Sequence, residues 1–372
     1  MTNRIKQLTA LGQAIWLDYI SRELIDSGRL QALVEQGISG VTSNPSIFHK
    51  AITGSSDYDA EIRRLALEGR STEEIYETLV LRDIRDAADV LRSVYNETHG
   101  RDGYVSIEVS PKLADDTDGT IEQARRLFRT IERPNVMIKV PATDAGLPAV
   151  TTLIGEGINV NVTLIFALSM YDRVMRAYLD GLRLYEKCGK PLGLVSSVAS
   201  FFISRVDTLT DKVLLHRMEH GEKHLEPLLG LAAVANAKLA YSRFKSVFTT
   251  GVFEELRSKG ARPQRPLWAS TSTKDPAYPD TKYVDPLIGM YTVNTLPPQT
   301  LDALRDHGVA AQTIERDLAR AQAVMDEFAG LKVDMDWITA VLLEDGVKAF
   351  NASFDALLAD LESKRAAMKR SA

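Results

Sequence analysis

The chain has 372 residues, of which 45% are hydrophobic and 26% are charged, which is enough apolar material for a large core and excludes a disordered protein. Its formal net charge of −5 disfavours a general binder of nucleic acids or of anionic membranes, because both need a positive field. The single cysteine, Cys188, excludes an intramolecular disulfide and a cysteine-rich metal site, and no apolar run approaches the ~20 residues of a membrane span. Residues 1–16 lack the apolar region of a signal peptide, so we expect a soluble cytoplasmic protein.

Short β-like runs alternate with longer helical patterns along the chain. The eight predicted strands are, in order, 13–20, 37–44, 104–110, 135–142, 158–165, 192–199, 266–271 and 289–296. Amphipathic helices are predicted between most of them, for example at 72–95, 121–132 and 168–188. Thr120 to Gln123 has the pattern of a capping box at a helix start. Such alternation predicts a parallel sheet that is covered by helices.

Eight strand–helix repeats suit a closed barrel, so we predict an α/β fold, a single (β/α)8 TIM barrel with extra helices. The alternative is an open doubly wound sheet, but no G-x-G-x-x-G turn follows the first strand. Since no linker rich in proline, glycine or serine divides the chain, we predict one domain over 1–372. Within it, 207–262 is predicted to be a helical crossover extension, and 312–372 to form C-terminal helices packed on the barrel.

Three predicted strands alternate apolar with polar residues, whereas strands buried in a parallel sheet are usually apolar throughout. Ser106 and Glu108 share one face of the third strand, Asn161 and Thr163 one face of the fifth, and Lys139 interrupts the fourth. In a barrel, the apolar faces meet the helices and the polar faces line the lumen, where a charge is costly unless it is paired. An antiparallel sheet with one wet face also alternates, but the long intervening helices disfavour it.

Lys139 lies in the apolar segment Met-Ile-Lys-Val-Pro (137–141), which predicts that its side chain is enclosed. Desolvation favours the neutral amine of a lysine, and this form attacks a carbonyl carbon to make a Schiff base. The alternative is a buried ion pair with a glutamate or an aspartate, and the pattern alone leaves both open. In the first strand, Asp18 shares a face with Trp16 and lies near the strand end, where barrel enzymes have their chemistry.

Five segments of the chain resemble motifs of the transaldolase family, in its longer bacterial type. They are GVTSNPSIF (40–48), VSIEVSP (105–111), MIKVPAT (137–143), GINVNVTLIF (157–166) and SSVASFFISRVD (196–207). The resemblance implies a (β/α)8 barrel that uses a lysine Schiff base, with no metal and no other cofactor. It also implies transfer of a dihydroxyacetone unit from sedoheptulose 7-phosphate or fructose 6-phosphate to glyceraldehyde 3-phosphate or erythrose 4-phosphate, within the pentose phosphate pathway.

The resemblance implies roles for four catalytic residues. Lys139 matches the Schiff-base lysine of the family. Glu108 matches the carboxylate that acts through a water molecule, and Thr163 matches the residue that holds this water. Asp18 matches the acid/base that takes the proton from the C4 hydroxyl of the donor.

Four further matches concern substrate binding, and Thr42 is added because it shares a strand face with Asn44. Asn44 and Asn161 match amides that bind sugar hydroxyls and the enamine intermediate, and Thr42 is expected to line the same pocket. Ser200 and Arg205 match ligands of the donor's hydroxyl and phosphate groups. Without the family motif, Asn44, which precedes a proline, would be interpreted as a turn residue, and Arg205 as a surface cation.

The end of the seventh strand departs from the family pattern. Family members have an arginine shortly after a serine there, whereas Ser270 is followed by no arginine and Lys274 is the nearest cation. A lysine binds phosphate as a point charge and lacks the two-pronged geometry of arginine. We therefore predict a phosphate site composed of Ser270, Arg205 and Lys274.

Other functions stay open on the sequence alone. A Schiff-base aldolase of the fructose-6-phosphate type would use the same lysine but release dihydroxyacetone to water, and a non-catalytic barrel would retain only the scaffold. A metal-dependent aldolase would need ligands such as His216, His220 and His224, but their charged helix lies away from the strand ends and favours a solvated face. We predict sugar-phosphate substrates, no nucleic-acid or membrane partner, and a monomer or homodimer.

Overall fold

The structure, a computed structural model, describes residues 3–370; residues 1, 2, 371 and 372, the ends of the predicted domain, lie outside the described residues. Its strands are Gln13–Leu17 (β1), Ile38–Thr42 (β2), Tyr104–Glu108 (β3), Val136–Pro141 (β4), Val160–Ile165 (β5), Ser197–Phe202 (β6), Arg265–Ala269 (β7) and Thr292–Leu296 (β8).

Helices connect and surround these strands. The α-helices of the described chain are Arg4–Ala10 (α1), Arg22–Asp26 (α2), Arg29–Glu35 (α3), Pro45–Thr53 (α4), Asp59–Leu67 (α5), Thr72–Val90 (α6), Arg92–Glu97 (α7), Thr117–Ile131 (α8), Gly146–Gly155 (α9), Leu168–Lys187 (α10), Ser204–Glu219 (α11), Ala232–Phe248 (α12), Gly251–Ser258 (α13), Pro298–His307 (α14), Leu318–Gly330 (α15) and Met335–Arg370 (α16). Short 3-10 helices lie at Pro111–Leu113, Leu192–Leu194, Lys223–Leu228 and Asp285–Leu287. In residues 3–370, no helix has the length and apolar character needed to cross a bilayer.

The eight strands close into a parallel barrel in chain order, and β8 pairs with β1. The predicted TIM barrel is therefore confirmed. Helices α11, α12 and α13 lie between β6 and β7, and α15 and α16 follow the last strand. The barrel brings the C-terminal ends of all eight strands to one rim, which is where barrel enzymes have their active sites.

The sixth strand differs most from its prediction. It was expected at 192–199 but lies at Ser197–Phe202, and Leu192–Leu194 instead form a 3-10 turn after Pro191. Proline and glycine weaken a strand, and the two phenylalanines at its end have a high preference for one. The strand therefore begins five residues later than the apolar run.

The predicted capping box at Thr120 is wrong. Helix α8 begins earlier, at Thr117, because the side chain of Asp116 accepts a hydrogen bond from the backbone N–H of Gly119 at 2.9 Å. Gln123 does not fold back onto the helix start, because its side chain accepts a hydrogen bond from the backbone N–H of Ser110 at 2.6 Å.

The strand register puts the predicted polar residues on the inner face of the barrel. Glu108 is paired with Lys139, and Lys139 with Asn161, across three adjacent parallel strands. Residues in register point to the same side of a sheet, so these three side chains share the lumen. At the opposite end of the lumen, Trp16 donates a hydrogen bond from Nε1 to Asp102 Oδ1 at 2.7 Å.

Gly40 has no room for a side chain, because a Cβ atom there would lie 2.4 Å from the ring of Trp16. We expect Gly40→Ala to lower the free energy of unfolding by about 2–3 kcal/mol, since the buried indole cannot move away without losing its hydrogen bond to Asp102. Denaturant unfolding measures this. Gly330→Ala is the control, because its Cβ would meet no described atom within 4 Å. Equal stability of the two variants would contradict the packing argument.

Candidate active site

Three charged side chains meet in the lumen at the C-terminal ends of β1, β3 and β4. Lys139 Nζ lies 2.8 Å from Glu108 Oε1 and donates a hydrogen bond to the backbone carbonyl of Ser43 at 3.0 Å. Asp18 follows β1 and accepts a hydrogen bond from Thr42 Oγ1 at 2.7 Å. Lys139 is only 5% exposed, so its predicted enclosure is confirmed. The buried ion pair that was the alternative is present as well, with Glu108 as the partner.

Burial raises the pKa of both carboxyl groups. For Asp18, desolvation raises the pKa, and the Thr42 hydrogen bond and the positive charges of Lys139 and Lys274 oppose this. For Glu108, desolvation again raises the pKa, the ion pair with Lys139 opposes it, and the negative charge of Asp18 adds to it. A carboxyl group with a raised pKa exchanges protons more readily near neutral pH, as general acid–base catalysis requires.

A small cavity lies between Glu108, Lys139 and Thr163. The centre of a water molecule can move through about 20 Å³ there, which is close to the space for a single water. Glu108 Oε2 and Thr163 Oγ1 are buried and have no hydrogen-bond partner among the described residues. The cavity thus presents two polar groups to one small polar molecule, next to the lysine amine.

The predicted amide and hydroxyl groups form a connected polar row beside the lysine. Asn161 Nδ2 donates to Ser106 Oγ at 3.1 Å, and Ser200 Oγ donates to Asn161 Oδ1 at 2.6 Å. On the other side, the hydroxyl oxygens of Thr42 and Thr295 are 2.6 Å apart. Side chains held in this way have few rotamers left, which orients them toward a bound molecule.

Asn44 lies two residues after the end of β2 and caps helix α4. Its side-chain oxygen accepts a hydrogen bond from the backbone N–H of Ile47 at 3.0 Å, and Pro45 is the first helical residue. Asn44 is thus a helix N-cap and not the turn residue of the local interpretation. The cap uses the oxygen of the side-chain amide.

The three predicted phosphate ligands converge on a second part of the rim. Ser270 Oγ lies 3.0 Å from the hydroxyl of Ser204, the first residue of α11, and Arg205 is the next residue. Burial and the charges of Arg205 and Lys50 lower the pKa of Lys274, against the opposing effect of Asp18. The positive end of a helix dipole and crowded cations are both features that attract an anion. Ser270 has a φ of 55°, a strained conformation that is enriched at functional sites.

The sequence did not identify four residues near these groups. Lys50 on α4 adds positive charge at Lys274, and Thr295 on β8 contacts Thr42. Val347 and Phe350 of α16 line the small cavity beside Lys139. Thr295 follows from strand alternation once β8 is recognised. The other three lie on helices, and only the tertiary packing shows which helix face meets the barrel mouth.

His216, on α11, lines one cavity with Lys274, whereas His220 and His224 do not line it. The rings of His216 and His220 are 4.5 Å apart, and His220 Nδ1 hydrogen-bonds the backbone carbonyl of His216 at 2.7 Å. Across residues 3–370, no three or more His, Cys, Asp or Glu side chains are grouped so that they could hold a metal ion.

The chain is similar to known proteins over almost its whole length. A family model described as transaldolase/fructose-6-phosphate aldolase matches residues 15–361. A protein of Trichodesmium erythraeum named transaldolase is 45% identical, with 98% of each chain covered. Proteins with the same name from Acidothermus cellulolyticus (48% identical, 96% of each chain) and Thiobacillus denitrificans (47% identical, 96% of this chain and 99% of the relative) are similar to the same extent.

Proposed function

This chain belongs to the transaldolase/fructose-6-phosphate aldolase family and has the transaldolase function of its relatives, and we propose that the reaction runs through a Schiff base on Lys139. The observation that carries this proposal is the buried amine of Lys139, 2.8 Å from Glu108 and in the electrostatic reach of Asp18. The family implies sugar-phosphate substrates. One buried amine between two carboxyl groups of raised pKa supplies a nucleophile and two sites for moving protons.

In the first step, the neutral amine of Lys139 attacks the C2 carbonyl carbon of the donor. Glu108, which is 2.8 Å away, is the group that exchanges the lysine proton. The carbinolamine then loses its oxygen as water, for which a proton must be delivered. The cavity between Glu108 and Thr163 has the size and the polar partners to hold the water molecule that relays it.

In the second step, the C3–C4 bond of the donor breaks. Asp18 takes the proton from the C4 hydroxyl, the C4 oxygen becomes the carbonyl of the leaving aldose, and the bonding electrons move into the iminium to give an enamine. Asn161 and Ser200, which are hydrogen-bonded to each other at 2.6 Å, hold the hydroxyl groups of the three-carbon enamine. Thr42 keeps the Asp18 carboxylate oriented through its hydrogen bond.

In the third step, the enamine adds through C3 to the aldehyde carbon of the acceptor, and Asp18 returns its proton to the new hydroxyl. Hydrolysis of the new Schiff base then frees the product and Lys139. We assign sedoheptulose 7-phosphate or fructose 6-phosphate as donor and glyceraldehyde 3-phosphate or erythrose 4-phosphate as acceptor, in the pentose phosphate pathway. The enzyme needs no metal or other cofactor and acts in the cytoplasm as a one-domain monomer or homodimer.

An acceptor-dependence assay tests the transferase function. The chain is incubated with fructose 6-phosphate, with or without erythrose 4-phosphate, and products are separated by mass. We expect sedoheptulose 7-phosphate only when the acceptor is present, together with little free dihydroxyacetone. Free dihydroxyacetone as the main product in the presence of acceptor would identify an aldolase instead, and no product under either condition would identify a non-catalytic barrel.

Lys274 takes the place of the family's arginine at the phosphate. We expect Lys274→Ala to raise the KM for fructose 6-phosphate by about 10- to 100-fold, which corresponds to the loss of one charge-assisted hydrogen bond. The kcat/KM for unphosphorylated fructose should stay nearly unchanged, because that substrate has no phosphate to lose. Lys245→Ala is the control, since Lys245 is a surface residue paired with Glu315. Equal losses with both donors would place Lys274 outside the phosphate site.

A further inference from the structure

The C-terminal helix α16 crosses the mouth of the barrel. At one side it is fastened to the helices after β2: Ser46 Oγ of α4 donates to Ser353 Oγ at 2.8 Å, and Lys364 forms an ion pair with Asp59 of α5 at 2.9 Å. At the other side, the helix backbone at Gly346 contacts Leu164 of β5, because a Cβ added at Gly346 would lie 2.9 Å from Leu164 Cδ2. A helix fixed at both sides of the rim covers the space between them.

The residue of β5 that contacts this helix has a strained backbone conformation. Leu164 has a φ of 61°, in the left-handed region, and the pairing of β5 with β6 shifts register at the same place. A bulky residue persists in this conformation only when its surroundings enforce it. The same position lies one residue from Thr163, so the bulge brings the helix contact and the polar cavity together.

Two apolar side chains of α16 line the small cavity beside Lys139. The ring centre of Phe350 is 6.0 Å from Lys139 Nζ, and Phe350 is 9% exposed. Val347, one turn earlier, lines the same small cavity, and its other apolar lining residues are Val109, Pro111, Ala114, Pro141 and Leu164. The apolar wall thus covers the side of the lysine on which Glu108 lies. Asp18 and the three predicted phosphate ligands do not line this cavity.

We infer that Phe350 favours transfer of the enamine to an acceptor aldose over hydrolytic release of the three-carbon unit. It does so because it keeps bulk water from the Schiff base. The inference rests on the function proposed above, since it concerns the lifetime of the Lys139 intermediate. Phe350 acts on this partition by excluding solvent, and it neither donates nor accepts a proton. In this way a residue far along the chain from the barrel motifs contributes to transferase specificity.

The reaction that Phe350 suppresses is the release of free dihydroxyacetone to water. The enamine takes up a proton at C3 and becomes the iminium of dihydroxyacetone. Water then adds to C2, the C2–N bond breaks, the water oxygen stays as the ketone oxygen, and Lys139 is regenerated with free dihydroxyacetone. Both protonation at C3 and addition of water at C2 need water or a proton source at the face of the intermediate. The single water site beside Glu108 is distinct from access of bulk solvent, which is what Phe350 limits.

The test compares two rates in the same variant: release of free dihydroxyacetone from fructose 6-phosphate without acceptor, and transfer to erythrose 4-phosphate. We expect the ratio of release to transfer to rise at least about tenfold in Phe350→Ala, and less in Phe350→Leu, which retains more bulk. Leu361→Ala is the control on the same helix. Leu361 is fully buried but lines neither of the two cavities that Glu108 lines, so its ratio should equal that of the unchanged protein.

The outcomes separate this inference from the proposed function. Borohydride reduction with fructose 6-phosphate is run on each variant beforehand. If the unchanged protein forms no adduct on Lys139, the proposed function fails. If the adduct forms and the ratio in Phe350→Ala or Phe350→Leu equals that of Leu361→Ala, the role of Phe350 is overturned. Loss of the adduct in the folded Phe350→Leu variant would also overturn it, since Phe350 would then be needed to form the Schiff base.

Discussion

Replacing Lys139 by arginine is expected to lower kcat/KM for transfer by a factor on the order of 10⁵, as the removal of a covalent nucleophile does elsewhere. Arginine keeps a positive charge beside Glu108, so the ion pair that is seen at 2.8 Å can be retained. It has no amine that loses its proton, so it cannot attack a carbonyl carbon. The substitution therefore separates the chemistry of Lys139 from its structural role.

Two measurements check this prediction. Steady-state kinetics gives kcat/KM, and denaturant unfolding shows whether the variant is folded. Lys139→Met is the companion variant, in which Glu108 is buried without its ion-pair partner, and such a loss typically costs about 3–5 kcal/mol of stability. We expect both variants to be inactive and only the methionine variant to be clearly destabilised. Activity in Lys139→Arg above a tenth of the original value would show that Lys139 acts as an ion-pair residue.

Replacing Asp18 by asparagine is expected to lower kcat by about 10²- to 10⁴-fold, the usual contribution of a general base. Asparagine can still accept the hydrogen bond from Thr42, which is 2.7 Å in the structure, so the side chain keeps its place. The Schiff base should still form on Lys139, whereas the C3–C4 bond should break slowly. The variant should therefore accumulate the donor adduct without releasing glyceraldehyde 3-phosphate from fructose 6-phosphate.

The pH dependence of kcat is expected to follow the ionisation of the Asp18 carboxyl group, the proposed base. The base must be ionised, and burial raises its pKa above the ordinary value of 3.8, so kcat should fall with decreasing pH at a midpoint above that value. The raised pKa also means that folding is disfavoured by ionisation of Asp18: this contribution to stability is greatest at low pH and is lost as pH rises through the folded pKa. Asp18→Asn should thus be somewhat more stable than the original chain at neutral pH.

Asp326→Asn on the exposed face of α15 is the control for Asp18, and it should change neither kcat nor stability. An Asp18→Asn variant with unchanged kcat, or with reduced adduct formation and a normal rate of bond cleavage, would contradict the assigned role.

Much of the barrel and its lumen could be predicted from strand alternation. A period of two places Glu108, Lys139 and Asn161 on the polar faces of three strands, and the parallel register then brings them side by side. The ion pair and the Schiff-base lysine were alternatives in the sequence, but the structure has one arrangement that allows both. The roles of the matched residues came from the family motifs, since spacing alone does not assign a proton transfer.

Other features depend on contacts between segments that are distant in sequence. Phe350 is one apolar residue among many on a long helix, and its proximity to Lys139 arises from where α16 packs. Lys50 and Lys274 approach each other only after α4 and the segment following β7 fold onto one rim. Asp116 is the N-cap instead of Thr120, four residues later, because aspartate and threonine can both cap a helix and local sequence does not rank them.

The net charge of −5 contrasts with a local excess of positive charge at one part of the rim. Acidic residues in excess disfavour nonspecific binding of nucleic acids, while Arg205, Lys274 and Lys50 produce a positive field at one part of the rim. We expect a local cluster of this kind to attract a phosphorylated sugar without making the whole protein basic. The strained serine at position 270 and the start of α11 add backbone groups to the same place.

Borohydride trapping of the Schiff base tests the central claim most directly. The chain is incubated with fructose 6-phosphate, reduced with borohydride, digested, and mapped by mass spectrometry. We predict a reduced dihydroxyacetone adduct on Lys139, no adduct in Lys139→Arg, and the reduced adduct of uncleaved fructose 6-phosphate in Asp18→Asn. An adduct on another lysine, or no adduct in a preparation that carries out transfer, would contradict the mechanism.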